Sequence, residues 1–352
     1  MKTAMIAMSG GVDSAVAARL MQQQGFNCHG GTMLLWDTDP HFSADAQAVC
    51  NLLGIPFHVL DASAQFRREV VEPFIRAYEE GLTPNPCYLC NQTLKFSWFL
   101  DRALDAGCDC IATGHYARLV REGGRTLLYS APDKSKDQSY FLAGLNQHQL
   151  SHSYFPLGDL TKDQVRAIAE EQGFCNARKK DSQDICFVPD GDYAGFMGGY
   201  TGKTPVEGDF VDKNGAVLGR HKGIIHYTIG QRKGLGLGGG PWFVVKKNIR
   251  KNIIFVAHGW DTQLQYGHDF RLADLHFITR NPWENPVDVP IRFKVRHVDH
   301  FMDGTITLDE EGYHIHSPQP VQGIAPGQFG CIYDAEARIC YGSGEIGIFK
   351  NK

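Results

Sequence analysis

Thr3-Ala4-Met5-Ile6-Ala7-Met8-Ser9-Gly10-Gly11-Val12-Asp13-Ser14 is the stretch on which the fold turns. An apolar run over 3–8 meets two glycines, and an amphipathic stretch over 13–24 follows until Gly25 stops it. That pattern predicts a strand, a tight loop and a helix. Two glycines let the backbone bend until successive N–H groups point into one concavity. Ser9 and Ser14 add hydroxyls, and the helix N-terminus adds partial positive charge, so the loop suits a phosphate chain. The G-x-x-x-x-G-K-[ST] pattern, with its lysine, is absent. A loop without that lysine fits a pyrophosphate leaving group held by backbone amides and Mg²⁺. Asp13 stands as a metal ligand or as an acid at the helix start.

Working outward, the first half alternates strand and helix patterns. Strands are expected at 30–35, 55–60 and 110–113, and helices at 44–53, 64–80 and 96–106. Thr161 and Gln164 spell a capping box, with Gly173 ending the helix it opens. Such β-α-β succession predicts a parallel sheet covered by helices. After about residue 190 the rhythm changes to short β runs at 208–211, 216–220, 242–246, 253–257, 291–295, 305–308, 313–316 and 331–333. Lys213-Asn214-Gly215, Met302-Asp303-Gly304 and Glu311-Gly312 read as turns between them. The expected architecture is α/β: a Rossmann-like parallel-sheet domain over 1–195, then two small barrel-like β domains over 196–264 and 265–352.

Composition agrees with a globular chain: 352 residues, 43% apolar and 21% charged. No apolar run approaches the ~18 residues of a membrane span, and the apolar N-terminus is too short for a secretory signal. No membrane association and a cytoplasmic location are therefore expected. Ten cysteines in this length point to thiols rather than a disulfide scaffold. The net charge of −4 conceals an asymmetry. Residues 1–190 carry 17 basic against 22 acidic groups, whereas the window 203–251 carries ten against three, a surplus of +7. That window reads either as a solvated face of a small barrel or as a phosphate-contacting surface. Within it, Arg232-Lys233 and Gly238-Gly239-Gly240 read either as a barrel turn or as a mobile loop that closes over a phosphate-bearing partner.

Two cysteine settings stand out. In Thr83-Pro84-Asn85-Pro86-Cys87-Tyr88-Leu89-Cys90-Asn91 the prolines stiffen an extended loop and present Cys90 near a helix start, which should give thiolate character. In Lys179-Lys180-Asp181-Ser182-Gln183-Asp184-Ile185-Cys186-Phe187 two lysines precede Cys186 and favour its anion. Cys28, Cys50, Cys108, Cys110, Cys175, Cys331 and Cys340 read as small buried hydrophobes. The histidines of His297-x-x-His300 and His314-x-His316 read as surface or packing residues, and no metal is assigned to them.

The Ser-Gly-Gly-Val-Asp-Ser loop resembles that of the PP-loop ATP pyrophosphatases, which adenylate a substrate. With Thr83–Asn91 and Ala112-Thr113-Gly114-His115-Tyr116, Lys136-Asp137-Gln138-Ser139-Tyr140-Phe141, Tyr227-Thr228-Ile229-Gly230-Gln231-Arg232 and Ala325-Pro326-Gly327-Gln328, the chain resembles the tRNA-specific 2-thiouridylase (MnmA) family. That resemblance implies ATP-dependent 2-thiolation of the wobble uridine U34: adenylation of O2, then sulfur transfer to C2 with release of AMP. It implies that Ala7, Met8, Ser9, Gly10 and Gly11, with Val12, Asp13 and Ser14, hold ATP with Mg²⁺. Met33 would lie beside the adenine and Gly114 at the nucleotide. Asn85, Pro86 and Cys87 would face the target base. His115, Lys136, Asp137, Gln138, Arg296, His297 and Gln328 would touch tRNA. Cys90 would be the nucleophile and Cys186 the persulfide carrier, with a Cys90–Cys186 disulfide to reduce after each cycle. The partners implied are tRNAs for Lys, Glu and Gln and a sulfur donor, either a relay protein or a cysteine desulfurase.

The chain departs from the family at Cys87, where the common pattern has Asp. Three readings follow: persulfide chemistry with Cys87 as helper or spectator, a [4Fe–4S] cluster on Cys87, Cys90 and Cys186, or structural zinc. The rival activity is a small-molecule adenylating ligase or amidotransferase with the same loop and no sulfur transfer.

Overall fold

The computed structural model describes residues 1–36, 42–180, 185–188, 190–259 and 266–347. The first unit is built on β1 (Thr3–Ala7), α1 (Val12–Gln23), β2 (Asn27–Leu34), α2 (Ala44–Leu53) and β3 (Phe57–Asp61). A helical run follows, with α3 (Ser63–Phe66), a π segment (Arg67–Val71) and α4 (Glu72–Glu79). A second run comprises α5 (Pro86–Leu89), a π segment (Cys90–Trp98) and α6 (Phe99–Asp105), leading to β4 (Cys110–Ala112). With β7 (Ser153–Tyr154) the strands form a parallel sheet in the order β3-β2-β1-β4-β7. β1 is buried on both faces, as the unbroken apolar run requires, and α1 lays a fully buried Ala15-Val16-Ala17-Ala18 stripe against the same core. The chain order reverses between β1 and β4. The crevice beyond their carboxyl ends, where Ser9 and Gly114 lie, is the expected place for a ligand.

Between β4 and β7 lie the hairpin β5 (Arg118–Glu122) and β6 (Arg125–Tyr129), then α7 (Ser139–Leu142) and α8 (Gln147–Ser151). α9 (Lys162–Glu171) has the expected capping box: Thr161 Oγ1 accepts from Gln164 N, and the Gln164 side chain accepts from Thr161 N. After α10 (Tyr193–Thr201) comes a four-stranded sheet of β8 (Gly208–Val211), β9 (Val217–His221), β10 (Trp242–Asn248) and β11 (Ile253–His258). It wraps Phe210, Tyr227, Val244, Ile254 and Val256.

The last unit comprises β12 (Tyr266–Phe277), β13 (Val289–Lys294), β14 (Met302–Asp309), β15 (Gly312–Gln322), β16 (Phe329–Tyr333) and β17 (Ile339–Ile346). These run β12-β15-β14-β13-β16-β17, and pairing of β12 with β17 closes them into a barrel.

Three expectations are revised. Met302-Asp303-Gly304 is no turn: it starts β14, and Gly304 is small because a Cβ there would strike the His316 carbonyl oxygen at 2.6 Å and the Phe293 ring at 2.8 Å. The hairpin β5–β6, in the first half of the chain, extends the barrel sheet through the β6–β17 pairing. The helix expected at 96–106 starts ten residues earlier, at Pro86 capped by Asn85, so Cys90 lies within it.

Candidate functional site

The loop between β1 and α1 is closed on itself through its hydroxyls. Ser14 Oγ accepts from Ser9 N at 3.2 Å and donates to the Gly11 carbonyl at 2.9 Å, and Ser9 Oγ accepts from Gly11 N at 3.4 Å. Gly10 has φ +74°, which a side chain resists. No side chain caps the N-terminus of α1, so its amides face the concavity. Gly114 meets this loop from the end of β4: a Cβ there would lie 2.8 Å from the Asp13 carbonyl carbon and 3.0 Å from Ser14 N. Only glycine permits that approach. Ala7, Met8 and Val12 line the strand and helix walls, and Met33 is half-buried at the end of β2.

The Asp13 carboxylate is held by groups from distant parts of the chain. Lys162 Nζ, at the first turn of α9, lies 2.7 and 2.9 Å from the two oxygens of Asp13, and the Tyr116 hydroxyl donates to the same carboxylate at 2.7 Å. Lys179 pairs with Asp45 at 2.6 Å with its ammonium 3.5 Å from the Gly10 carbonyl. Asn176 Nδ2 donates to that carbonyl at 3.1 Å, while its buried Oδ1 has no partner among the described residues. The chain between 160 and 180 gave no sign of this, because the contacts are tertiary.

The donor set fits Mg²⁺·ATP. Mg²⁺ typically takes one or two carboxylates, with substrate phosphates and waters completing its shell. Asp13 is the carboxylate the loop offers, and the orphaned Asn176 oxygen sits beside the same loop.

The cysteines come together from distant parts of the chain. Cys87 and Cys186 reach the surface while Cys90 is buried. The Cys186 and Cys87 thiols lie near enough to disfavour ionisation of Cys90, and Lys95 acts on all three in the opposite sense. The expected thiolate character is reversed. Burial pushes Cys90 up to about 12 and also raises Cys87 and Cys186. Two reasons account for this. Cys90 sits a turn inside its helix rather than at the positive end, and desolvation outweighs the single Lys95 charge. Among the described residues no group of three His, Cys, Asp or Glu side chains can hold a metal ion. No step is therefore derived through a cluster or zinc. Asp181, Ser182, Gln183 and Asp184 of the Cys186 motif lie outside the described residues. Of the seven remaining cysteines, six are buried as expected, but Cys175 is exposed.

The residues expected at tRNA divide into two groups. Arg296 and His297 are exposed, and Lys136 and Gln138 are half-exposed. His115 and Asp137 are not on the surface. His115 is packed against Phe96 and Phe155, bonded to Thr113 at 2.7 Å, and held neutral by burial. Asp137 is fully buried and salt-bridged to an equally buried Lys294 at 3.0 Å. Both side chains support the surface rather than form it. Asn85 Oδ1 caps the helix by accepting from Tyr88 N, and Pro86 is buried in its first turn. Gln328 turns its amide toward Thr83 and Pro84.

Part of the basic window is spent within the protein. Lys203 pairs with Glu79, Arg220 with Glu207 and Asp209, and Lys247 donates to the Tyr227 carbonyl. Arg232 lines an open pocket with Leu235, Leu237, Pro241 and Trp242.

Family models match along the chain: a tRNA methyl transferase HUP domain at residues 2–190, a tRNA methyl transferase PRC-barrel domain at 194–258, and an aminomethyltransferase beta-barrel domain at 267–346. A curated relative from Bacteroides fragilis, tRNA-specific 2-thiouridylase MnmA 2, is 44% identical over 97% of this chain and 98% of its own. Porphyromonas gingivalis MnmA is 41% identical over 96% of this chain and 97% of its own. Among solved structures, the U34-tRNA thiolase NcsA from Methanococcus maripaludis with its [4Fe-4S] cluster is similar at 18% identity and TM-score 0.36, covering 57% of this chain and 67% of that one. No described helix is long and apolar enough to cross a membrane.

Proposed function

The chain belongs to the tRNA-specific 2-thiouridylase family, and from that premise we propose how its own residues carry out ATP-dependent thiolation of tRNA. A small-molecule ligase with only the phosphate loop in common is not favoured, because the likeness to these relatives runs through both β units.

The C2 oxygen of uridine is a poor leaving group. Its attack on the α-phosphorus of ATP forms a C2–O–AMP ester and expels pyrophosphate. The amides at the start of α1 receive the pyrophosphate charge, and Lys162 holds Asp13 in place beside them. Asp13 would hold Mg²⁺, which would neutralise triphosphate charge. Cys186 carries a persulfide whose terminal sulfur attacks C2, and AMP departs with the original oxygen. Cys90 then attacks the inner sulfur of Cys186. A Cys90–Cys186 disulfide forms, the sulfane sulfur is reduced, and 2-thiouridine leaves with C2=S. An external thiol restores the two cysteines. Cys90 must lose its proton for this, and Lys95 is the adjacent charge that favours the anion. An unpaired anticodon base is already outside a duplex, so presenting it costs little.

The observation that supports this reading is that Cys90 packs in one buried cluster with Ile185 and Phe187, the neighbours of Cys186, with Lys95 as the charge that favours its anion. The finer assignments are a cytoplasmic sulfurtransferase acting on tRNAs for Lys, Glu and Gln, supplied by a persulfide-bearing relay protein or desulfurase. The test is a reaction of purified protein with tRNA, labelled ATP and a persulfide donor, read by AMP release and by mass spectrometry of the wobble nucleoside. AMP should form in step with 2-thiouridine. Cys90→Ser and Cys186→Ser should abolish thiolation. Thiolation by the double serine variant, or sulfur incorporation without AMP, refutes the scheme.

A further inference from the structure

We propose that Gln328 is a positioning residue for the reaction, acting from the C-terminal barrel on the segment that carries Cys87 and Cys90. The resemblance places Gln328 at tRNA, but its amide is engaged elsewhere. Nε2 donates to the Thr83 carbonyl at 3.0 Å and to the Pro84 carbonyl at 3.3 Å, and Oε1 shares the Tyr140 hydroxyl proton, at 3.3 Å, with the Phe329 carbonyl at 3.1 Å. Both donor hydrogens have acceptors, and RNA could claim only a remaining lone pair.

The sequence shows why such a clamp is needed. Thr83-Pro84-Asn85-Pro86 contains two residues without an N–H, so it cannot join a ladder that would satisfy its carbonyls. Partners must come from outside, and the barrel provides them at successive points. Thr83 N donates to the Pro326 carbonyl at 2.9 Å. Gly327, at φ +88°, lets the two backbones touch: a Cβ there would lie 2.8 Å from Leu82 Cβ and 3.0 Å from Thr83 N. Beyond Gln328, the Phe329 ring stacks on Tyr88 with centroids 3.6 Å apart, and the Tyr88 hydroxyl bonds Ser343 Oγ at 2.6 Å. Tyr88 lies between the two cysteines in sequence. The barrel therefore grips the segment immediately before Cys87 and again between Cys87 and Cys90, so tRNA held by Arg296 and His297 of the barrel unit would share one frame with the thiols. Misplacement by about 1 Å can cost ~10²-fold in rate.

This inference rests on the thiolation reading, so its test includes a readout that needs no activity. Gln328→Met keeps the length and removes the hydrogen bonds. Gln328→Glu replaces the donor with a carboxylate facing two carbonyl oxygens. Three quantities are measured for each: tRNA affinity, the single-turnover thiolation rate at saturating tRNA, and alkylation rates of Cys87 and Cys90 without ATP or tRNA. Gln328→Met should lower the single-turnover rate by about 10–100-fold. It should leave tRNA affinity within about two-fold and raise thiol alkylation several-fold. Gln328→Glu should show the same defect at pH 8 and recover partly toward pH 5, where its carboxyl regains a donor. Weakened tRNA binding with an unchanged saturated rate would make Gln328 an RNA contact and overturn the proposal, as would unaltered alkylation. If the Gln328 variants fail to fold, Tyr88→Phe decides: losing the bond to Ser343 should raise alkylation in the same direction, and no change overturns the clamp. A wild-type protein that does not thiolate refutes the functional reading, while the alkylation result still decides the clamp.

Discussion

Cys90 shows how a residue's reactivity is set by what surrounds it in space. Its thiol is pushed up from 9.0 to about 12 by burial, with Cys186 and Cys87 adding to the shift and Lys95 opposing it. In the resting protein its alkylation rate should therefore keep climbing with pH through 10, measured by mass spectrometry of quenched time points. A plateau near or below pH 9 would mean that the thiolate is already stabilised. The stability linkage runs the same way. The folded thiol stays neutral while the unfolded thiol ionises near 9, so this group's contribution falls as pH rises from about 9 toward 12. The residues of the site legible in sequence are those whose role is local. Ser9, Gly10, Gly11 and Ser14 make a loop from their own backbone and hydroxyls. The burial of His115 beside Phe155 and of Asp137 against Lys294 was not legible, because it depends on segments far along the chain.

At the scale of the element, the same division holds. The strands flanking the phosphate loop and the capping box of α9 follow from spacing alone, and the structure keeps them within a few residues. The hairpin β5–β6 and the long strands β12 and β17 were not legible, since each takes its partner from another part of the chain. α9 shows how an ordinary helix gains a role. Its capping box fixes the first turn, and that turn delivers Lys162 to Asp13 at 2.7 Å, with the two side chains 11% and 32% exposed. Lys162→Met should cost about 1.5–3 kcal/mol of transition-state stabilisation, the value of a charge-assisted hydrogen bond. AMP formation should then fall roughly 10–150-fold at limiting ATP, by the usual factor of ten per 1.4 kcal/mol. The tRNA affinity should not change, because Lys162 lies under the phosphate loop. An unaltered ATP dependence would show that Asp13 needs no counter-ion in the working enzyme.

Across the whole molecule, the three units converge on the chain between α4 and α5. The central unit presses Ile249 against Gly81, and the barrel holds Thr83, Pro84 and Tyr88. A second joint binds the barrel to the segment 136–138. Lys294, on β13, and Asp137 form a salt bridge at 3.0 Å with neither side chain exposed, and the ammonium lies 4.1 Å from the Phe301 ring centroid. Asp137 also accepts from Ala131 N, Ser139 N and Ser139 Oγ. His297 Nε2 meets the Asp137 carbonyl at 3.1 Å, so the joint lies beneath two surface segments expected at tRNA. Lys294→Met would leave a buried carboxylate uncompensated, which typically costs about 3–5 kcal/mol. Urea unfolding should show a midpoint lowered to match, and tRNA binding should weaken as 136–138 and 296–297 lose their common frame. Asp137→Asn keeps hydrogen-bonding capacity but strands the Lys294 charge, so it should destabilise as well. The decisive comparison is Lys294→Met. A loss below about 1 kcal/mol would show that the three other donors alone satisfy the carboxylate, and the joint would then be polar packing rather than an electrostatic lock.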